Sequence, residues 1–276
     1  MNSRHTDGSA GDADYGIIGG GYAGFRRPEP EIAEAILTAL GHARTVLNVG
    51  AGAGSYEPAD RDVTAVEPSA SMRAQRPVHL PPAIDAVAEK LPFADKSFEA
   101  AMTTFSVHQW SDLAAGLGEM RRVTRGPVVI LTSDPLALDR FWLAEYAPEV
   151  IAVEAGRYPP LPAIADALGG RIDACDVPIP LQCMDGFNEA YYGRPEMLLD
   201  PAARLACSAW SFVDEAAVSR FTGALSRDLA DGSWDRRHGH LRAQPHFTGS
   251  LKLIVGLPRD QFDAAFASET STGSAR

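Results

Sequence analysis

Short apolar runs alternate with amphipathic segments through the first 135 residues of the chain. Several of the runs are β-branched and bounded by glycine or proline, as buried parallel strands are. The pattern predicts five strands: RTVLNVG (44–50), DVTAVEP (62–68), AIDAVA (83–88), AAMTTFS (100–106) and GPVVILTSDP (126–135). Helices are predicted over residues 28–43, over residues 112–125 and after a Ser69 cap. This alternation predicts an α/β fold with a mostly parallel sheet and helices on both faces.

The alternation ends after residue 135. Residues 136–170 and 181–248 are helical and aromatic in pattern, while RIDACDVPIP (171–180) and SLKLIVGLP (250–258) predict a sixth and a seventh strand. Such sheets bind ligands at the carboxyl ends of their strands, so we interpret the irregular regions as one largely helical cap over that edge. The expected organisation is a disordered tail (1–12), a core (13–135), the sixth strand with the cap (136–248), the last strand (249–258) and a mostly disordered tail (259–276).

Two glycine-rich runs compete for the role of a nucleotide loop. YGIIGGGYAGF (15–25) has the G-x-G-x-x-G spacing, but a polar stretch precedes it and two prolines follow it, so no strand and helix flank it. VLNVGAGAGS (46–55) belongs to a predicted strand, and the next predicted strand ends at Glu67. A glycine loop between two strands, the second ending in a carboxylate, is typical of an adenosine site in which the carboxylate binds the ribose. Ser55 stands where a dinucleotide loop has its third glycine, so a pyrophosphate is not indicated.

Composition narrows the class of partner. The 276 residues are 45% hydrophobic and carry a formal net charge of −11, which argues against nucleic acid or an anionic membrane as partner. Cys175, Cys183 and Cys207 form no zinc or disulfide pattern, so no metal is expected. No signal peptide and no apolar run of membrane-spanning length is evident. These features favour a cytoplasmic protein with a small-molecule substrate.

Four blocks, in this order and spacing, resemble the class I S-adenosylmethionine-dependent methyltransferases: VLNVGAGAGSYEP, VTAVEPSASM, AEKLPFADKSFEAAM and FSVHQWSD. They are closest to the branch that acts on small molecules and carries LPF-x-D-x-SF after the third strand. The resemblance covers about residues 15–135 and the last strand. It implies a Rossmann-like, mostly parallel seven-stranded sheet with helices on both faces. It also implies that YGIIGGGYAGF belongs to an amino-terminal lid over the cofactor.

The resemblance implies a cofactor site formed by the lid and by the carboxyl ends of the first four strands. Glu67 would hold the ribose, Met72 would pack on the adenine, and Phe105 and Ser106 would lie beneath the sulfonium. Arg26, from the lid, could pair with the methionine carboxylate in a charge-assisted bond. The full set of expected cofactor-binding residues is Tyr22, Arg26, Gly50, Ala51, Gly52, Glu67, Pro68, Met72, Ala88, Glu89, Phe105 and Ser106.

Two positions depart from the pattern of the family. The first-strand acid is replaced by Asn48, which weakens a charge contact to the ammonium group of the cofactor. The aspartate often found before the Ala-Glu pair is replaced by Val87, so that the adenine amino group must find backbone atoms or Glu89.

Methyl transfer requires alignment of nucleophile, methyl and sulfur, and a proton acceptor when the nucleophile carries a proton. His108 follows the fourth predicted strand and is the candidate general base; the alternative is a structural histidine at the strand end. The basic run SWDRRHGHLR (233–242) could hold an anionic group of the acceptor or be a solvated loop. The candidate acceptor-binding residues are Trp110, Trp142, Tyr191, Tyr192 and Arg236.

Three hypotheses about function remain open at this point. The first is a methyltransferase that acts on a small metabolite, in specialised metabolism. The second is an enzyme that cyclises the aminobutyrate arm of S-adenosylmethionine and releases methylthioadenosine. The third is a sensor that binds the cofactor without catalysis, against which the large aromatic cap argues.

Overall fold

The computed structural model describes residues 5–9, 22–169 and 172–258, with the side chains of Tyr22 and Ala23 outside that description. The strands are β1 (Thr45–Val49), β2 (Asp62–Val66), β3 (Ala100–Thr104), β4 (Val128–Ser133), β5 (Asp173–Asp176), β6 (Ile179–Pro180), β7 (His246–Phe247) and β8 (Leu251–Gly256). Six of them form the central sheet in the order β2-β1-β3-β4-β8-β5. Strands β1 to β4 are parallel, and β8 runs antiparallel between β4 and β5. A second sheet pairs β6 with β7.

The predicted Rossmann-like architecture is confirmed, with six strands rather than seven. Residues 83–88, the third strand of the prediction, contribute a single parallel bridge between Ile84 and Val66. Ile84 is 41% exposed, so this position is not part of a buried strand. Pro81 and Pro82 precede it and have no N–H to donate, so the pairing cannot extend in that direction.

Helices cover both faces of the sheet. Val129 of β4 belongs to the same buried cluster as Ile32 and Ile36, whereas its neighbour Ile130 belongs to the opposite cluster with Met120. Successive side chains of a strand point to opposite faces, so a strand covered on both sides is buried at every position, as β4 is, and its first four residues are apolar. The helices of the first half are α1 (Tyr22–Phe25), α2 (Pro30–Leu40), α3 (Ala70–Ala74) and α4 (Leu113–Val123).

The cap segment, residues 136–248, contains strands β5, β6 and β7 and is otherwise built from helices and 3₁₀ turns around an aromatic core. The rings of Trp142 and Trp234 meet edge to face at 5.8 Å, and both side chains are buried. The helices are α5 (Leu143–Tyr146), α6 (Pro148–Arg157), α7 (Leu161–Ala167), α8 (Pro201–Leu205), α9 (Glu215–Ala230) and α10 (Ser233–His238). The 3₁₀ turns are Leu138–Arg140, Asn188–Tyr191, Pro195–Leu199, Ser208–Phe212 and Gly239–Ala243, and a further one, Val107–Gln109, follows β3.

The amino-terminal end differs from the sequence-based expectation. Residues 5–9, expected within a disordered tail, lie against α3, where the backbone N–H of Ala70 donates to the carbonyl of Asp7 at 2.7 Å. Residues 10–21, which carry most of the expected lid, and residues 259–276 lie outside the described part of the chain.

The aromatic core of the cap segment offers a direct test of packing. Phe221 is fully buried, with its ring 4.8 Å from that of Trp210. We expect Phe221→Ala to lower the free energy of unfolding by about 3 kcal/mol or more, because the deletion leaves a cavity. Phe212 is the matched control, since it is 41% exposed and contacts Arg157 from outside. Denaturant unfolding should show a loss of about 1 kcal/mol or less for Phe212→Ala; equal losses in the two variants would contradict the assignment of this core.

Candidate functional site

The loop after β1 depends on three glycines with positive φ. Gly50, Gly52 and Gly54 have φ values of 66°, 51° and 94°, which other residues rarely adopt. A Cβ at Gly50 would lie 1.9 Å from Oγ of Ser106, so the ends of β1 and β3 approach each other only because this side chain is absent. A Cβ at Gly52 would lie 3.3 Å from Cε of Met72. The loop therefore leaves open space above the strand ends.

The carboxylate of Glu67, which directly follows β2, is hydrogen-bonded to the backbone of this loop. One oxygen accepts a hydrogen bond from the backbone N–H of Gly52 and the other from that of Ser69, both at 2.8 Å. Burial raises the pKa of this carboxyl, although the two backbone donors favour its ionised form. Each carboxylate oxygen has a second lone pair. The group can therefore accept two further hydrogen bonds, the number that a pair of ribose hydroxyls would supply.

The first pocket lies over the glycine loop and contains about 880 Å³ of empty space. It is lined by residues from the amino-terminal segment, the strand ends and the cap segment. Eleven of the twelve residues expected to bind the cofactor line it: Arg26, Gly50, Ala51, Gly52, Glu67, Pro68, Met72, Ala88, Glu89, Phe105 and Ser106. The twelfth, Tyr22, has its side chain outside the described part of the chain.

The sequence analysis missed several residues of this pocket, among them Tyr56 and Asp185. Asp185, from the cap segment, accepts a hydrogen bond from Nε of Arg26 at 2.5 Å and one from the hydroxyl of Tyr56 at 2.8 Å. Tyr56 follows the glycine loop, and its φ of 63° is a signal visible only in the structure. The expected partner of Arg26 was the methionine carboxylate; here its guanidinium pairs with Asp185 and lies 4.8 Å from the ring centre of Phe105.

The two departures from the family pattern have structural counterparts. Asn48 donates to Oε1 of Glu57 at 3.0 Å, and Glu57 forms a buried two-bond pair with Arg76, both bonds at 2.9 Å. Val87 lines the first pocket. Glu89, expected at the adenine edge, accepts hydrogen bonds through Oε1 from the residues that precede α4, namely Ser111 and Asp112.

A second pocket, with about 490 Å³ of empty space, adjoins the first. Arg26 and Phe105 line both, so the two pockets share a wall. Phe105 has a φ of 50°, in the left-handed region, and its ring centre lies 5.2 Å from that of Phe187. The other lining residues come from the turn after β3 and from the cap segment: His108, Glu154, Arg157, Tyr158, Phe187, Leu205, Ala206, Cys207 and Ser208.

The second pocket shifts the protonation of two side chains in opposite senses. Burial, together with the charges of Arg157 and Arg26, lowers the pKa of His108 to about 3. Burial raises the pKa of Glu154 to about 7, with a further contribution from the charge of Glu189. His108, the expected general base, is therefore neutral and weakly basic, whereas Glu154 titrates near neutral pH.

The residues expected to bind the acceptor do not converge on either pocket, except for Trp110. Trp110 lines the first pocket and donates to Oγ of Ser106 at 3.0 Å. Trp142, Tyr191 and Tyr192 are buried in the cap segment, where Nε1 of Trp142 donates to the carbonyl of Tyr192 at 3.0 Å. These aromatic side chains therefore form the hydrophobic core of the cap segment and line neither pocket.

The basic run 233–242 is compensated by acidic neighbours. Arg237 pairs with Glu145 at 3.0 Å, and Arg242 pairs with Glu196 at 2.6 Å. Arg236 donates to Oγ of Ser233 at 2.6 Å in its own helix and lines neither pocket. The three arginines of the run are therefore paired locally and line neither of the two pockets.

Across residues 5–9, 22–169 and 172–258, no group of three or more histidine, cysteine, aspartate or glutamate side chains could hold a metal ion. In the same ranges, no helix is both long and apolar enough to cross a membrane.

Comparison with known proteins agrees with this geometry. The sequence profile of a family described as a methyltransferase domain matches residues 47–130, from β1 into β4. A demethylmenaquinone methyltransferase of Porphyromonas gingivalis is 32% identical over 113 residues, a match that covers 37% of this chain and 44% of that protein. The chain thus matches less than half the length of this curated relative.

A solved structure is similar over a larger part of the chain. A protein of Anabaena variabilis, described as a methyltransferase from an antibiotic biosynthesis pathway, is 29% identical and superposes with a TM-score of 0.78. The match covers 84% of this chain and 98% of that one. Residues 47–130, which carry the glycine loop and Glu67, therefore form a methyltransferase domain similar to those of the class I S-adenosylmethionine-dependent enzymes, and the cofactor is S-adenosylmethionine.

Proposed function

We propose that the protein transfers the methyl group of S-adenosylmethionine to a small metabolite bound in the second pocket. The observation that carries the proposal is the wall shared by the two pockets, formed by Arg26 and Phe105. Methyl transfer requires the nucleophile and the donor carbon to lie close and in line. Two adjoining pockets of unequal size, the larger over the glycine loop, meet that requirement.

The first pocket is proposed to bind the cofactor. Glu67 would accept hydrogen bonds from the ribose hydroxyls, Met72 would pack against the adenine, and the Gly50–Gly52 backbone would lie along the amino-acid arm. When bound, S-adenosylmethionine supplies a methyl group already activated by its sulfonium. The protein then has to position the acceptor, exclude water and remove a proton.

The second pocket favours an acceptor that is neutral or anionic. Two guanidinium groups, Arg26 and Arg157, line it together with one carboxyl, Glu154, whose pKa of about 7 leaves it partly protonated at neutral pH. A cationic amine would meet like charge there. The rings of Phe105 and Phe187 provide apolar walls for a planar molecule. A hydroxyl group is the proposed acceptor, with Glu154 or His108 taking its proton.

The metabolic setting is also a proposal. The description of the Anabaena protein as part of an antibiotic biosynthesis pathway supports a role in specialised metabolism. We further propose that the reaction takes place in the cytoplasm, where the thiols of Cys175, Cys183 and Cys207 would stay reduced.

Replacement of Glu67 tests the cofactor site. We expect Glu67→Ala to weaken binding of S-adenosylhomocysteine about 30-fold, which corresponds to about 2 kcal/mol for a charged hydrogen-bonding group. Titration calorimetry measures this directly. Glu34→Ala, which removes an exposed carboxylate from α2, should bind as the wild type does. Unchanged affinity in Glu67→Ala would contradict the proposed ribose contact.

Filling the second pocket tests where the acceptor binds. Leu205 lines this pocket and is 53% exposed, so a larger side chain can enter the space without displacing the core. We expect Leu205→Trp to bind S-adenosylhomocysteine normally but to lose about tenfold or more in turnover. Turnover is measured as release of S-adenosylhomocysteine, by mass spectrometry, with a panel of small hydroxylated and amino metabolites.

Leu136→Trp is the matched control for this variant, because Leu136 is 81% exposed and lines neither pocket. Its turnover should equal that of the wild type. Release of methylthioadenosine without any acceptor would contradict methyl transfer. Equal turnover in Leu205→Trp and the wild type would place the acceptor elsewhere.

The pH dependence distinguishes the two candidate proton acceptors. If the ionised Glu154 takes the proton, kcat/KM should rise with pH, be half-maximal near pH 7 and then level off, because protonated Glu154 cannot accept. Glu154→Gln should remove this limb and lower turnover about 10²-fold. His108→Asn should keep the limb. Loss of turnover of that size in His108→Asn, with an unchanged limb in Glu154→Gln, would make His108 the base instead.

A further inference from the structure

The segment His5–Ser9 is held against the turn that follows Glu67. Its anchor is Asp7, whose Oδ2 accepts hydrogen bonds from the hydroxyls of Ser69 at 2.6 Å and Ser71 at 3.0 Å. Burial raises the pKa of Asp7, but donors that include Ser69, Ser9 and Ser71 outweigh this effect and lower the pKa to about 2. Asp7 therefore stays ionised at neutral pH, and its bonds to Ser69 and Ser71 persist there.

Gly8 brings the same segment into close backbone contact with the first pocket. A Cβ at this position would lie 2.4 Å from the carbonyl oxygen of Pro68, and Gly8 has a φ of 94°. Only glycine satisfies both conditions without strain. Pro68 itself lines the first pocket, next to Glu67. The segment is thus packed onto the part of the pocket proposed to hold the nucleoside.

Ser9 is the residue that this packing presents to the pocket. It lines the first pocket and is 2% exposed. Its backbone is satisfied, since its N–H donates to Oδ1 of Asp7 at 3.0 Å and its carbonyl accepts from the N–H of His5 at 2.9 Å. Its hydroxyl lies near enough to Asp7 to affect that carboxyl, but it makes no hydrogen bond of normal geometry within the described residues. A buried hydroxyl without a bond is costly unless a ligand supplies one.

We propose that the hydroxyl of Ser9 forms a hydrogen bond with the nucleoside part of the bound cofactor, so that the segment His5–Ser9 completes the cofactor site. The contacts of Asp7 and Gly8 with residues 68–71 place the segment beside the carboxylate of Glu67. This position favours the ribose or the adenine over the amino-acid arm. The inference rests on the proposed cofactor pocket and adds a binding residue that lies 58 positions before Glu67 in the sequence.

Two ligands separate the nucleoside from the amino-acid arm. S-adenosylhomocysteine contains both, whereas methylthioadenosine lacks the amino-acid arm. We expect Ser9→Ala to weaken binding of both ligands by the same factor, about 3- to 10-fold, as the loss of one hydrogen bond implies. Calorimetric titration of the full chain with each ligand measures the two factors. Thermal unfolding without ligand should be unchanged, because Ser9→Ala keeps the backbone contacts of the segment.

Two further variants complete the design. Ser97→Ala removes an exposed serine hydroxyl that bonds only to the carbonyl of Ala94 among the described residues, and should leave both affinities unchanged. Gly8→Ala should weaken both ligands by about tenfold or more, because the added Cβ cannot fit against Pro68 and the segment would leave the pocket. Ser9→Ala and Gly8→Ala thus test the hydroxyl and the docking of the segment separately.

The outcomes are distinguishable. Equal affinities of wild type and Ser9→Ala for both ligands would overturn the inference and leave the cofactor pocket intact. A loss confined to S-adenosylhomocysteine would also overturn it, since the hydroxyl would then contact the amino-acid arm. Failure of the wild type to bind either ligand would overturn the cofactor pocket itself, and with it this inference.

Discussion

The carboxylate of Asp185 joins three parts of the chain that are far apart in sequence. It accepts hydrogen bonds from Arg26, in the amino-terminal segment, and from Tyr56, after the glycine loop, while Asp185 itself belongs to the cap segment. Its side chain is 3% exposed, so solvent screens these bonds little. Removal of one partner from a buried ion pair leaves an uncompensated charge. The positions of the amino-terminal segment, the loop and the cap segment therefore depend on one another.

This contact also determines the wall between the two pockets. Arg26 is held by Asp185 with its guanidinium 4.8 Å from the ring centre of Phe105, and these two side chains are what the pockets have in common. Under the proposed function, the reacting atoms meet at this wall. An arginine already neutralised by Asp185 can line an apolar passage at a lower electrostatic cost than an unpaired one. Arg157 contributes a further guanidinium group to the second pocket.

Much of the core of the fold can be predicted from local sequence. Strands β1, β2, β3 and β4 are short runs in which most residues are apolar and most are buried, and such runs can be recognised without knowledge of distant residues. The loop at Gly50 and the carboxylate of Glu67 are likewise local, since a strand end determines where each lies. The prediction of a third strand at residues 83–88 was wrong because the same apolar pattern occurs at a sheet edge, where Ile84 pairs through a single bridge.

The sequence by itself therefore determined strands β1 to β4, the glycine loop and the cofactor class. The tertiary structure alone decided which side chains of the cap segment face a cavity and which form its core: Trp142 and Tyr192 are buried, whereas Glu154 and Arg157 line the second pocket. Helical periodicity indicates a buried face but does not say whether that face meets protein or a cavity. Burial also lowers the pKa of His108. This effect depends on residues that are distant in sequence, so it cannot be predicted from the residues next to His108.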